Sequence, residues 1–167
     1  MSNMRMDYGF QTWLGMPGTL YDISPYAIDS RQNAEEVPGI MQFGIGVMQG
    51  DTPGANVRVP TEGDSLTAFE GVSMGSQTMD MNMDGELIIR PHQTIGVMRW
   101  GRAWVRVVPD TDIKYGDRVF LVRGGENAGL FTNIPANGLS INAMFIGGLG
   151  TSSVAPIELY NQSREVR

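Results

Sequence analysis

"FGIGVMQG" occupies residues 43–50 and sets Gly44, Gly46 and Gly50 around a short apolar run. A phosphate-cradling loop needs its glycines to end a strand and open a helix, because the helix amides and dipole hold the anion. Here the glycines lie inside the apolar run itself, at the spacing G-x-G-x-x-x-G, and the Lys-Ser/Thr pair of a nucleotide loop is missing. The adjoining segment, "DTPGANVRVP" (51–60), is a turn and then an alternating strand. The stretch therefore reads as a strand that glycine allows to bend or to admit a second backbone.

The rest of the chain agrees with strands. Short apolar or alternating runs are separated by turn dipeptides such as Pro53-Gly54, Asp84-Gly85, Gly116-Asp117 and Gly124-Gly125. Candidate strands cover 42–49, 56–60, 67–74, 86–90, 95–100, 102–108, 118–123, 141–147 and 154–160. "IDSRQNAEE" (28–36) has too few apolar positions for a buried helical stripe and is stopped by Pro38-Gly39, so at most one short helical turn is expected there. The expected fold is all-β, a single-domain sandwich or barrel. Residues 1–18, with Phe10 and Trp13 among polar and glycine positions and no clear period, read as an N-terminal arm seeking another surface. Residues 19–167 form the domain.

Alternation assigns faces. In "RAWVRVV" (102–108), Ala103, Val105 and Val107 fall on one side of a strand, with Arg102, Trp104 and Arg106 on the other. An indole between two guanidinium groups suits a partner contact, as Trp and Arg do at interface hot spots. The alternatives are a ladder on the protein's own surface or a second core layer.

Composition narrows the function. The 167-residue chain carries 12 basic and 18 acidic residues, a net charge of −6, which is the reverse of the basic footprint that nucleic acid requires. No direct nucleic-acid partner is expected. Cysteine is absent, which removes disulfides, thiol nucleophiles and thiolate metal sites together. The N-terminal stretch lacks a signal peptide's apolar core, and no run approaches the roughly 18 apolar residues of a membrane span. A protein made in a cytoplasm, with no membrane partner, is the expectation.

"DMNMDGE" (80–86) is the sharpest chemical candidate. Asp80, Asn82, Asp84 and Gly85 match the opening of a calcium loop, but the twelfth position, which should bring a bidentate Glu, is Pro91, and no helices flank it. An acidic hairpin turn leading into "ELIIR" is the plainer reading. Met79, Met81 and Met83 could line a soft-metal site, fill a core, or pack on a partner as adaptable apolar side chains. The partner reading suits an alternating row bordered by Asp. His92 is the single histidine, so any triad would depend on it, and no nucleophile-elbow serine accompanies it. Asp110 and Asp112 read as solvated turn residues, and Lys114, the single lysine, lacks the flanking Met of a biotin or lipoate site. No cofactor and no enzymatic activity are expected. The rivals are a calcium-assisted binding module and a β-barrel hydrolase built on His92 with a nearby carboxylate.

Taken in order, "MPGTLYD", "FGIGVMQG", "FEGVSM", "GRAWVRV", "GDRVFLV" and "NAMFIGG…APIELY" resemble the cement, or capsid decoration, proteins of tailed bacteriophages, particularly podovirus-like ones. The resemblance rests on Pro17-Gly18, on Phe43, Gly44, Val47 and Gly50, on Gly71-Val72, on Gly101, Arg102, Trp104 and Val105, and on Gly116, Asp117 and Val119. It implies a jelly-roll-like domain on the outside of a virion shell, bound to the major capsid protein and stapling neighbouring capsomers. A homodimer is the expected self-assembly, with a trimer as the alternative, and another tail or head-completion protein is the nearest rival role. The arm with Trp13 and the Met-rich "MGSQTMDMNMDGE" depart from the family's pattern, and contact details reside in such segments.

Overall fold

In the computed structural model, residues 15–75, 80–147, 150–151 and 153–162 are described. The architecture is all-β, as the spacing of turns led us to expect. In chain order the strands are β1 (Ala27–Asn33), β2 (Gly46–Gln49), β3 (Asn56–Arg58), β4 (Phe69–Met74), β5 (Asp80–Met81), β6 (Leu87–Ile88) and β7 (Thr94–Arg106). They continue with β8 (Asp112–Ile113), β9 (Arg118–Val122), β10 (Phe131–Thr132), β11 (Gly138–Phe145), β12 (Gly150–Thr151) and β13 (Val154–Leu159). Two single turns of 3-10 helix, Leu66–Ala68 and Pro135–Asn137, precede β4 and β11.

β7 is the spine. Its first half pairs with β1 on one edge and β4 on the other, and the order β1-β3-β2-β4-β7 closes into a ring because β1 also lies parallel to β3. Its second half pairs with β13, from which the sheet continues as β11-β9-β10. That half curls back as well, since Val107 bridges Phe131 and the Val108 amide donates to the Phe131 carbonyl at 2.9 Å. Two closed strand rings thus share one long strand, which leaves few exposed edges for unwanted pairing.

Two core clusters fill the rings. Phe43, Ile45, Val47, Val57, Ile95 and Val97 belong to the smaller, while Phe69, Val72, Met98, Ala103, Val105, Leu121, Phe131, Phe145 and Ile157 are among the larger. One strand serves both because its phase changes. Ala27 and Ile28 pair with Trp100 and Met98, which leaves Arg99 without a partner in register. That extra residue is a bulge, so even-numbered Met98 and odd-numbered Ala103 face the same core. The sequence reading of two strands, 95–100 and 102–108, is corrected to one. Gly101 between them (φ +134°) bends the strand instead of ending it.

The expectation of a helical turn in 28–36 is also corrected, because Ala27–Asn33 is β1. Its alternation is inverted relative to an ordinary half-buried strand. Asp29, Arg31 and Asn33 turn inward while Ile28 lies outside, 39% exposed. Most of the inward polar groups are satisfied, with Arg31 paired to Asp29 at 3.2 Å and to buried Glu70 at 3.6 Å, and the Asn33 amide donating to the Arg90 carbonyl, while the buried Arg31 Nε has no partner among the described residues. Buried polar groups are tolerated on those terms.

The glycines of residues 43–50 serve packing. Gly44 (φ +78°) lets the segment at Pro17 and Gly18 cross so closely that a Cβ would lie 2.7 Å from the Pro17 Cβ. Gly46 makes room for Leu121 and Phe131. A second backbone does approach, as the strand reading required.

Near the mouth of the first ring, Asp64 receives a two-pronged bond from Arg58, at 2.7 and 2.8 Å, and the Thr61 amide at 2.7 Å. The Arg58 guanidinium is the main cause that holds the carboxyl at about 2, against burial, which pushes it up. The folded pKa lies below the ordinary value of 3.8, so the stabilisation is present above pH ~4 and is lost as pH falls towards 2. Asp64→Asn is expected to be about 2 kcal/mol less stable than the native chain at pH 7. The gap should close in thermal melts taken near pH 2. A pH-independent gap would show that the carboxylate charge is not what matters.

Candidate contact surface

The Arg-Trp-Arg face does not lie open. Trp104 is 5% exposed, which favours the second core layer among the alternatives for this face. The cover is the chain's own N-terminal segment. Gly18 donates to the Trp104 carbonyl at 2.8 Å, the Trp104 amide donates to Thr19 at 2.9 Å, and the Tyr21 amide donates to Arg102 at 3.0 Å. Residues 18–21 therefore run as a further strand-like edge along β7. Gly15 lies so close to the indole that a Cβ there would overlap the ring, and Tyr21 tilts against it at 5.5 Å between centroids.

The two arginines emerge on either side of this segment and meet different surroundings. Arg102 bonds Asp22 at 2.9 Å and faces Glu158 at 3.5 Å, two acids that push its guanidinium further up, Asp22 most. It borders a shallow hollow of about 400 Å³ with Ser24, Pro25, Trp100 and Tyr160. Arg106 is half-buried, donates through Nε to the Phe43 carbonyl at 2.9 Å, and is pulled down from the usual guanidinium range by burial.

Beyond Arg106 stands the β5–β6 hairpin. Asn82 Oδ1 accepts from the amides of Asp84 and Glu86 at 3.0 and 2.9 Å, and Gly85 (φ +80°) closes the turn. Asp80 is paired with Arg90 at 3.1 Å. Asn82 and Asp80, as candidate ion ligands, are thus committed to the turn and to an arginine, and no cluster of three His, Cys, Asp or Glu suited to a metal occurs among the described residues. Met81 is 62% exposed and Met83 fully so. Met79, Phe10 and Trp13 lie outside the described residues.

The remaining chemical candidates are dispersed. His92 (φ +62°) sits exposed on the turn after Pro91, with its amide donating to Asn33. Asp110 (φ +61°), Asp112 and Lys114 are exposed turn or short-strand residues far along the chain from it. Among the described residues no cluster of three such groups forms, and Asp112 and Lys114 are linked only through Asn133 and Asp117. Sequence reasoning missed a second set of exposed apolar side chains, Ile23, fully exposed, and Tyr26, 47% exposed, on either side of Ser24 and Pro25, which line the Arg102 hollow. "YDISPY" (21–26) carries these side chains in an irregular segment where no period could have signalled them.

No curated protein matches the chain significantly. A solved chain from a structure titled "The capsid of Myoviridae Phage XM1" superposes with a TM-score of 0.67 at 15% identity, covering 92% of this chain and 95% of that one. At that identity the likeness shows the fold, a β-body of the same arrangement over nearly its whole length. Residues 4–160 match the family described as structural cement protein (E217 gp24/Pam3 gp6), which takes in both strand rings and the segment that covers Trp104, and the chain belongs to that family.

Proposed function

We propose that this protein cements a tailed-phage head: it binds the outer surface of the major capsid shell and staples neighbouring capsomers, without catalysing a reaction. It would be made in the host cytoplasm and end on the virion, and it would associate with itself, as a dimer in preference to a trimer. The observation that carries the reading, beside the family, is the β5–β6 hairpin. A turn ordered by Asn82 holds Met81 and Met83 out in solvent, where unbranched, polarizable side chains adapt to a partner. Arg102 and Arg106 flank the covering segment as polar contacts, and Phe10 and Trp13 would extend the contact through the arm. Trp104 supports that surface from beneath.

Many weak contacts on a repeating lattice gain avidity without any single strong site, so binding should saturate. Cosedimentation with heads lacking this protein is expected to plateau at a simple integer ratio to the major capsid subunit. No binding, or binding without a plateau, overturns the reading. Met81→Ser with Met83→Ser should weaken attachment about tenfold, a loss of roughly 1.4 kcal/mol, with the melting temperature unchanged because neither side chain is in the core. Deleting residues 1–14 should weaken attachment while the domain stays folded. A truncated chain that unfolds would place the arm in the core.

A further inference from the structure

A groove of about 360 Å³ separates the N-terminal segment from the β5–β6 hairpin. Met16 forms one wall, Leu87 and Ile88 the other, and Met41 and Phe43 the floor. Arg106 enters this space from β7, and with Gln42 and Glu86 it makes the lining as polar as it is apolar. Among the described residues, only Nε of its five N–H donors has a partner, the Phe43 carbonyl, and no carboxylate pairs with it. Glu86 also borders the groove, but it is exposed and accepts from the Asn82 side chain at 3.1 Å. A guanidinium held partly out of water without a counter-charge is costly. It also offers a planar fork that suits a carboxylate. On a chain of net charge −6, one such positive point in a groove of mixed polar and apolar lining selects for an acid at one position while the surroundings repel acids elsewhere.

We infer that this groove seats an extended segment of the shell protein in which a carboxylate, flanked by apolar side chains, bonds the free end of Arg106. The inference rests on the capsid-binding reading and names the chemistry of the partner at one site. The same hairpin that presents Met81 and Met83 forms the groove wall, so both contacts lie on one continuous surface.

The test uses the full chain and heads lacking it. Arg106→Gln is expected to weaken cosedimentation about tenfold. Because Arg106 also holds the Phe43 carbonyl, a second pair avoids that bond: Met16 is 55% exposed at the groove wall, so Met16→Glu places a carboxylate beside Arg106 and Met16→Lys does not. Both variants lose the Met16 wall contact, but Met16→Glu should weaken binding several-fold more than Met16→Lys, because only the glutamate competes for Arg106. If the native chain fails to bind heads, the capsid reading itself falls. If it binds and both Met16 variants bind equally well, the groove inference falls alone. Variants that bind heads normally but change the oligomeric state of the isolated protein would assign the groove to a second copy. Variants that alter only trypsin cleavage at Arg5 in the isolated protein would assign it to the chain's own first residues. Either result overturns the inference.

Discussion

Trp104→Ala is expected to remove about 3–5 kcal/mol of stability, the usual cost of emptying a buried large aromatic site, and to lower the melting temperature by roughly 10 °C in a chain of this size. The side chain is 5% exposed and touches Gly15 and Tyr21, which arrive from the far end of the sequence. The backbone bonds of Gly18, Thr19 and Tyr21 to β7 do not involve the indole, so the covering segment stays tethered while its packing is lost. Capsid attachment at a temperature where the variant is folded should therefore fall only modestly. A variant that melts like the native chain yet fails to bind would return Trp104 to the contact surface. Thermal melts and cosedimentation on the same sample separate the outcomes.

The case of Trp104 also marks where a sequence stops being legible. Alternation correctly placed Ala103, Val105 and Val107 in the core, because strand period is local. It could not show that residues 15–21 return to cover the opposite face, because that pairing spans more than eighty positions, as Leu20 with Ala103 shows. β1 was hidden for another reason. Its inward row is Asp29, Arg31 and Asn33, paired with Glu70 and the Arg90 carbonyl, and hydropathy cannot recognise polar groups whose partners lie on other strands. The candidate surface was half legible. The Met81 and Met83 row announced itself by alternation, whereas Ile23 and Tyr26 sit in a segment without period, and the pocket around Arg106 exists only once the hairpin and the N-terminal segment are both in place.

Gly71→Ala is expected to be the most disruptive single methyl in the domain, costing about 3–5 kcal/mol or preventing folding. Gly71 sits in β4 at φ +152°, and a Cβ there would overlap the Met98 carbonyl of β7. That carbonyl belongs to a residue in register with Val72 on one edge and Ile28 on the other, so it has no free direction in which to move. Backbone conformation alone accounts for only part of the cost, about 1–2 kcal/mol for a side chain on the left-handed side. Gly54→Ala isolates that part, since Gly54 has φ +81° with nothing within 4 Å of its Cβ position. The excess of Gly71→Ala over Gly54→Ala in denaturant melts then measures the β4–β7 contact. Equal losses at the two sites would mean that β4 can shift off β7 without penalty. A shift is opposed by the phase of β4. Val47 and Met48 pair with Gly71 and Phe69, which leaves Glu70 as a bulge residue. That bulge lets Phe69 and Val72 both face the larger core while Glu70 reaches Arg31 and Gln49 across the first ring. Gly71 is the position at which the close approach of β4 and β7 permits that arrangement, and a methyl there would unseat the core residue and the ion pair together.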